Sequence, residues 1–247
     1  MPGVCSGVYR WRYDEDMQQT PIHEHHNPDL LDMVPLTSRR LIEIGCSSGA
    51  LARAFKQKVP ESHYVGVEID PGYAELAKRY CDEVIVCDLD QADDAFWQTH
   101  EDRDCWIFGD TLEHLRDPWA VLRRIRRHMP SGGSVVACIP NAQHWSIQAK
   151  LSVGDFRYRD SGLLDRTHLR WFTRQTMLEA FRETGFEVVT GKPRLFNEPN
   201  RERFLPIIEQ MAQAAGGDPK QAVQDALPLQ YVIRAETISN RCIEPAR

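Results

Sequence analysis

The 247-residue chain has no hydrophobic run approaching the length of a membrane span, and its opening residues, MPGVCSGVYRWRYDED, lack the apolar core of a secretion signal. Export and anchoring are not expected, and the protein is read as cytoplasmic. A basic excess is also lacking, since 30 Lys and Arg stand against 36 Asp and Glu for a net charge of −6. That argues against nucleic acid or anionic lipid as a partner, both of which call for a dominant basic face. With 42% hydrophobic and 27% charged residues, 15 Gly and 15 Pro, the composition is near the globular average and excludes collagen-like, low-complexity and wholly disordered classes, and the lack of an internal repeat or linker leaves one domain over 1–247. The seven cysteines (Cys5, Cys46, Cys81, Cys87, Cys105, Cys138, Cys242) are odd in number and scattered, mostly in apolar runs. This usage suits free thiols in a reducing compartment.

What is present is an alternation, from residue 41 onward, of short apolar runs with amphipathic stretches, the pattern of βα units around a parallel sheet. Strands are expected at 41–45, 64–69, 83–87, 105–110, 134–140, 186–189 and 229–236. Helices are expected at 49–59, 71–81, 118–129 and 173–185, with Asp117 and Thr173 as caps, Pro118 in a first turn and Gly185 as a stop. The fold class is α/β: a Rossmann-like, seven-stranded, mostly parallel sheet with helices on both faces. The segments 1–40, 141–172 and 190–228 do not fit the alternation. The last of them carries the helical pieces RERFLPIIEQMAQAAG and PKQAVQDAL, and all three are candidates to cover a pocket. The domain thus reads as an N-terminal cap (1–40), a ligand-binding core (41–190), a helical lid or interface insertion (191–228), and a last strand and tail (229–247).

The first strand ends in Glu43-Ile44-Gly45-Cys46-Ser47-Ser48-Gly49 and runs straight into a helix, which brings backbone N–H groups and the positive end of a helix dipole to a small turn. A dinucleotide fingerprint fails there because Ser47 and Ala50 occupy the second and third glycine offsets, and a triphosphate loop fails because no Gly-Lys-Ser/Thr follows.

The remaining pattern, acidic-x-Gly-x-Gly/Ser-x-Gly, resembles class I S-adenosylmethionine-dependent methyltransferases. The resemblance continues through Gly66-Val67-Glu68-Ile69-Asp70, Val86-Cys87-Asp88-Leu89, Phe108-Gly109-Asp110-Thr111-Leu112-Glu113-His114-Leu115-Arg116-Asp117-Pro118, Ile139-Pro140-Asn141 and Gly162-Leu163-Leu164-Asp165-Arg166-Thr167-His168-Leu169-Arg170-Trp171-Phe172-Thr173. These motifs look like one branch of that superfamily, common in bacterial clusters that make surface polysaccharides and small secondary metabolites. The resemblance covers roughly residues 27–190 and implies S-adenosylmethionine as cofactor and S-adenosylhomocysteine as product. A departure is Ser47, where many members have glycine.

The implied cofactor carries no phosphate, so its site needs no lysine but does need partners for an ammonium, a carboxylate, a diol and a purine. Glu43 and Asp110 are expected to attract the ammonium, N–H groups around Ser47 to Gly49 the carboxylate, Glu68 the diol and Asp88 the purine amine. Gly45, Cys46, Ile69 and Leu89 complete the expected contacts.

Methyl transfer from a sulfonium is a direct displacement that asks chiefly for alignment and, with a hydroxyl or ammonium acceptor, for a base. His168 is the first candidate and His144 the second, while His114 is read as capping or packing. Arg166 and Arg170, with Asn141 and Tyr158, are expected to meet an anionic or sugar-like acceptor; the alternative is that the loop's arginines pair with Asp155, Asp160 and Asp165. O-methylation is favoured over N-methylation. The alternatives are a nucleic-acid or protein methyltransferase and a non-catalytic cofactor-binding scaffold. No metal is expected: His23-Glu24-His25-His26 lacks a spacing that would close a site. A homodimer is possible, with 191–228 as the place for its contacts.

Overall fold

The structure, a computed structural model, describes residues 24–238. The expected alternation is present: strands β1 (Arg40–Ile44), β2 (His63–Glu68), β3 (Glu83–Val86), β4 (Cys105–Gly109), β5 (Ser134–Pro140), β6 (Phe186–Arg194) and β7 (Gln230–Thr237) form one sheet in the order β3-β2-β1-β4-β5-β7-β6. The first five run parallel, and β7 is antiparallel to both neighbours. Strand order reverses between β1 and β4, so the carboxyl ends of these two neighbours flank the crevice where open α/β sheets bind ligands.

Period-two patterning places Ile42, Ile44, Val65, Val67, Trp106 and Phe108 on one face of the sheet. There they meet Leu122 and Ile125 of α5 (Pro118–His128) and Phe181 of α7 (Arg174–Glu183). Leu41, Tyr64, Ile107 and Val136 face the other way, under Leu30 and Leu31 of α1 (Pro28–Met33) and Phe55 of α2 (Ala50–Lys58). The expected caps are made: Asp117 accepts from Ala120 N, Thr173 forms a reciprocal capping box with Thr176, and Gly185 stops α7 at φ +89°. The helix expected over 71–81 is shorter, α3 spanning Pro71–Ala77.

Three helices were not expected: α1, α4 (Asp94–His100) and α6 (Trp145–Leu151). Each has six or seven residues, too few turns to print a 3.6-residue pattern on the sequence. What orders α4 is tertiary, Trp97 stacking on Trp106 of the sheet at 5.6 Å. Strand β6 runs on to Arg194 rather than ending at 189, which moves five residues from the expected insertion into the sheet. Gly191 and Pro193 disguise it; proline is tolerated because β6 is an edge strand with β7 as its single partner.

The two expected helical pieces are α8 (Arg201–Ala214) and α9 (Pro219–Ala226). They are tied to the carboxyl edge through Glu198, whose Oε2 accepts from His144 Nε2 at 3.0 Å and Trp145 Nε1 at 2.7 Å, while Trp145 stacks on Phe204 at 5.4 Å. All five cysteines among the described residues (Cys46, Cys81, Cys87, Cys105, Cys138) are free, in keeping with the sequence expectation; Cys5 and Cys242 lie outside those residues. No helix among the described residues is long and apolar enough to cross a membrane.

Glu43 shares its face with Leu41 and is buried, with Tyr64 Oη donating to its Oε2 at 2.9 Å. Burial pushes its carboxyl up to about 8, against the Tyr64 hydrogen bond and with the Glu68 charge adding to the rise. Between roughly pH 4.5 and 8 the folded protein therefore holds a proton that the unfolded chain has released, and stability falls as pH rises through that window. Glu43→Gln should remove up to about 1.4 kcal/mol of this loss per pH unit, seen as a flatter urea-midpoint profile than wild type. Glu198→Ala should cost about 1–3 kcal/mol, because the buried His144 and the half-buried Trp145 lose their acceptor, and should lower Tm in a calorimetric scan. Glu198→Gln, which keeps one acceptor oxygen, should lose less.

Candidate active site

The turn after β1 is held from three sides. Gly45, Ser47 and Gly49 have φ of +74°, +48° and +77°, so this loop closes through left-handed residues. At Gly45 a Cβ would lie 2.8 Å from Thr111 Oγ1, which itself donates to Ile44 O at 2.9 Å. This close approach pins the residues after β4 over the turn. Ser47 takes up the left-handed angle without being glycine, a mild strain of order 1 kcal/mol. From the other side, Glu68 at the end of β2 accepts from Ser47 N at 2.8 Å with one oxygen, and from Ile69 N at 2.9 Å and Asp70 N at 3.1 Å with the other.

These bonds revise two expectations. Ser47 N is committed to Glu68 and Gly49 N to Cys46 O at 2.9 Å, so neither N–H is aimed at a ligand carboxylate. Glu43 lies beneath the turn, 5% exposed and protonated at neutral pH, so it is the floor of the turn and not a charged partner for an ammonium. Asp110, by contrast, is exposed at the rim after β4 with φ +56° and is held by Gln230 Nε2. Cys46 packs inward, and its hydrogen bond with Cys81, then burial, push its thiol well up. Gly66 leaves room for this thiol pair, since a Cβ there would lie 2.7 Å from Cys46 Sγ.

Asp88 is half-buried after β3 and accepts from Asp90 N at 3.0 Å and Gln91 Nε2 at 2.6 Å. Leu89 is buried beside it, whereas Ile69 is 45% exposed next to Glu68 and offers an apolar surface. Glu68, Asp88 and Asp110 thus end or follow three strands along one edge.

The acceptor-side expectations fare unevenly. Asn141 is fully buried, its amide donating to Asp225 O at 2.7 Å and Pro228 O at 2.8 Å and its Oδ1 accepting from Gln143 N at 3.0 Å; it fastens the β7 return to β5 and has no surface to offer a substrate. His144 is likewise buried, with Nδ1 capping α6 beside Ser146 and Nε2 on Glu198, so both ring nitrogens are occupied and it cannot serve as a base. Arg166 pairs with Asp160 and Arg157 with Asp155, as the alternative reading had it, while Asp165 bonds Thr167 instead. Arg170 donates to Arg116 O and Leu169 O. Tyr158 is 57% exposed, its ring edge-on to Phe156. Of the histidine tract, His23 lies outside the described residues.

His168 turns inward. Its side chain is 8% exposed, and Nε2 lies 4.0 Å from Glu113 Oε1. Its ring meets His114 edge-on at 4.8 Å and Trp171 at 5.8 Å. Burial holds both imidazoles below the usual histidine range. As a solitary base reaching out to an acceptor His168 is not supported; it belongs to a cluster with Glu113 and His114. Sequence reasoning passed over Glu113 and set His114 aside. The available signal was an acid and a histidine side by side after β4, at the same sheet edge as the other acids.

The residues present suit a cationic, phosphate-free ligand such as S-adenosylmethionine. Glu68, Asp88, Asp110, backbone groups and the exposed Ile69 surround the turn, and the close approach of Thr111 to Gly45 shapes its mouth.

Comparison with known proteins agrees. Over 102 residues the chain is 30% identical to a malonyl-[acyl-carrier protein] O-methyltransferase of Brevibacillus brevis, covering 40% of this chain and 37% of that one. Over 134 residues it is 27% identical to a ubiquinone biosynthesis O-methyltransferase of Aeromonas salmonicida, covering 51% and 55%. The chain thus matches about half or less of the length of these curated relatives. The crystal structure of magnesium protoporphyrin IX methyltransferase from Synechocystis, described with bound S-adenosylhomocysteine, superposes with a TM-score of 0.53 at 12% identity, over 82% of this chain and 76% of that one. The sequence profile described as a methyltransferase domain matches residues 13–190, and on that match, carried by a sheet of the class I order, the chain belongs to the methyltransferase domain family.

Proposed function

We propose that the protein transfers a methyl group from S-adenosylmethionine, the cofactor its family uses, to an oxygen of a small-molecule acceptor that is anionic or sugar-like. The observation that carries this reading is the row of Glu68, Asp88 and Asp110 beside a left-handed glycine turn at the strand-order reversal. When bound, the cofactor supplies a methyl group on a sulfonium. The chain's own part is to bind and to align: Asp110 is the rim carboxylate for the ammonium, Glu68 for the diol, Asp88 for the purine amine, and Ile69 and Leu89 the apolar walls. Three backbone N–H groups already meet Glu68, which leaves about one of its four lone-pair sites for a hydroxyl. Glu68 is therefore both a ligand for the cofactor and the brace of the turn.

Support for an oxygen acceptor comes from the two O-methyltransferase relatives. The loop between β5 and α7 contributes the acceptor side, with Tyr158, Phe156 and Leu169 exposed beside Arg166 and Arg170. The paired Arg166 and Asp160 would have to part for an anion to bind, which favours a doubly charged or rigid acidic group over a single weak one. The insertion after β6, anchored through Glu198, is read as a lid or interface over this side, within a single domain that spans the chain. The branch that makes bacterial polysaccharides and secondary metabolites is the proposed setting.

Calorimetric titration with S-adenosylmethionine and S-adenosylhomocysteine tests the reading. Wild type should bind both, and Glu68→Ala should weaken both at least tenfold, since a charge-assisted hydrogen bond is worth about 1.5–3 kcal/mol. Arg166→Ala should leave cofactor affinity within about twofold, a difference of less than half a kcal/mol. Absence of binding to either compound by folded wild-type protein would sink the proposal.

A further inference from the structure

Glu113 is the most exceptional polar group in the structure. It is 1% exposed, and neither carboxylate oxygen has a hydrogen-bond partner in any other residue. Buried polar groups are almost always satisfied, and a lone buried carboxylate is strongly disfavoured unless it is neutralised or holds a cation. Two imidazoles stand beside it: one ligand atom each from Glu113, His114 and His168 lie within 4.8 Å of one another.

The surroundings hold these groups in place. The Glu113 carbonyl accepts from Leu169 N at 2.8 Å and Arg170 N at 2.9 Å, which stitches the His168 loop to the turn after β4. His114 Nδ1 lies 3.2 Å from Thr167 O and 3.0 Å from Thr167 Oγ1, and that hydroxyl is fixed by Asp165 at 2.6 Å. A backbone hydrogen bond to Leu163 holds the His168 ring while its Nε2 faces Glu113. Donation of one ring N–H to a carbonyl leaves the other nitrogen as a lone-pair donor, the arrangement that orients metal-ligating histidines.

We propose that Glu113, His114 and His168 form a binding site for one divalent transition-metal ion. Two imidazoles and a carboxylate suit zinc, manganese, iron or cobalt better than magnesium or calcium, which take oxygen ligands. Ligands to such an ion lie about 2.0–2.2 Å from it, so the three atoms need close by only about 1 Å, within reach of side-chain rotation. Three protein ligands leave a coordination position for an oxygen. On the methyltransferase reading, on which this last step alone rests, that oxygen belongs to the acceptor, and the ion orients it at the sheet edge beside Asp110.

The full-length protein, dialysed against a chelator and returned to chelator-free buffer, is titrated with Co²⁺ by calorimetry and visible absorption, and the bound Co²⁺ is then displaced with Zn²⁺. Wild type should take up one equivalent, with an absorption band that Zn²⁺ abolishes. Glu113→Gln and His168→Ala should each weaken that uptake at least tenfold. Glu113→Gln is isosteric, and circular dichroism of the metal-free variants verifies that they fold. Without metal, Glu113→Gln should melt no lower than wild type, whereas added Zn²⁺ should raise the Tm of wild type alone. Failure of wild type to take up Co²⁺, or uptake unchanged in both variants, would overturn the site; the second result would place the ion elsewhere, as on His23–His26. Cofactor titration of the same samples separates the two ideas: cofactor binding without metal uptake overturns the metal site alone, and metal uptake without cofactor binding overturns the methyltransferase reading alone.

Discussion

A loop that closes through three left-handed residues does not hold its shape without help, and in this protein the help comes chiefly from one carboxylate. Glu68 takes Ser47 N with one oxygen and the two N–H groups after β2 with the other, so the ends of β1 and β2 are joined by a charge-assisted bridge. Across the turn, Thr111 reaches Ile44 O and fills the space that a side chain at residue 45 would need. The site is thus shaped between β2 and β4, and the strand-order reversal is what makes those two strands the neighbours of β1.

The same logic recurs on the far side of the crevice. The residues after β4 form a short turn through Leu112–His114, and its carbonyl at Glu113 is the anchor for Leu169 N and Arg170 N. A loop more than fifty residues away in sequence is therefore registered to the cofactor edge by two backbone bonds, and Asp165 and Thr167 complete the fastening. The insertion after β6 is tied in a different way, through side chains, with Glu198 gathering two donors at the start of α6.

Much of this was legible in the sequence. All seven strands, the caps at Asp117 and Thr173 and the acids at the strand ends follow from period, cap chemistry and the order of motifs. What the sequence concealed has physical reasons. Pro193 disguised the second half of β6 because only its edge position makes proline acceptable there. Asn141 and His144 looked like site residues because polar side chains after a strand at the ligand edge have two uses, binding or fastening, and nothing local distinguishes them. Only the partners decide, and those partners, Asp225, Pro228 and Glu198, lie far along the chain. His168 was found, but its orientation was not, since the direction of a loop side chain depends on what packs beneath it.

Two deeply buried acids of the carboxyl edge make an instructive contrast. Glu43 and Glu113 are both nearly inaccessible, and burial raises both. Glu43 has a donor at 2.9 Å in Tyr64, so the fold accommodates it as a protonated, hydrogen-bonded group. Glu113 has no such donor, although the protein supplies hydrogen-bond partners to nearly every other buried polar atom around it. Instead it is faced by an imidazole nitrogen of His168, with the His114 ring packed against that histidine. A fold that needed only a structural acid at this position would serve as well with a hydroxyl or amide of matching shape. A carboxylate with two convergent imidazoles is the combination whose shared property is the ability to hold a positive ion, and that property separates Glu113 from Glu43.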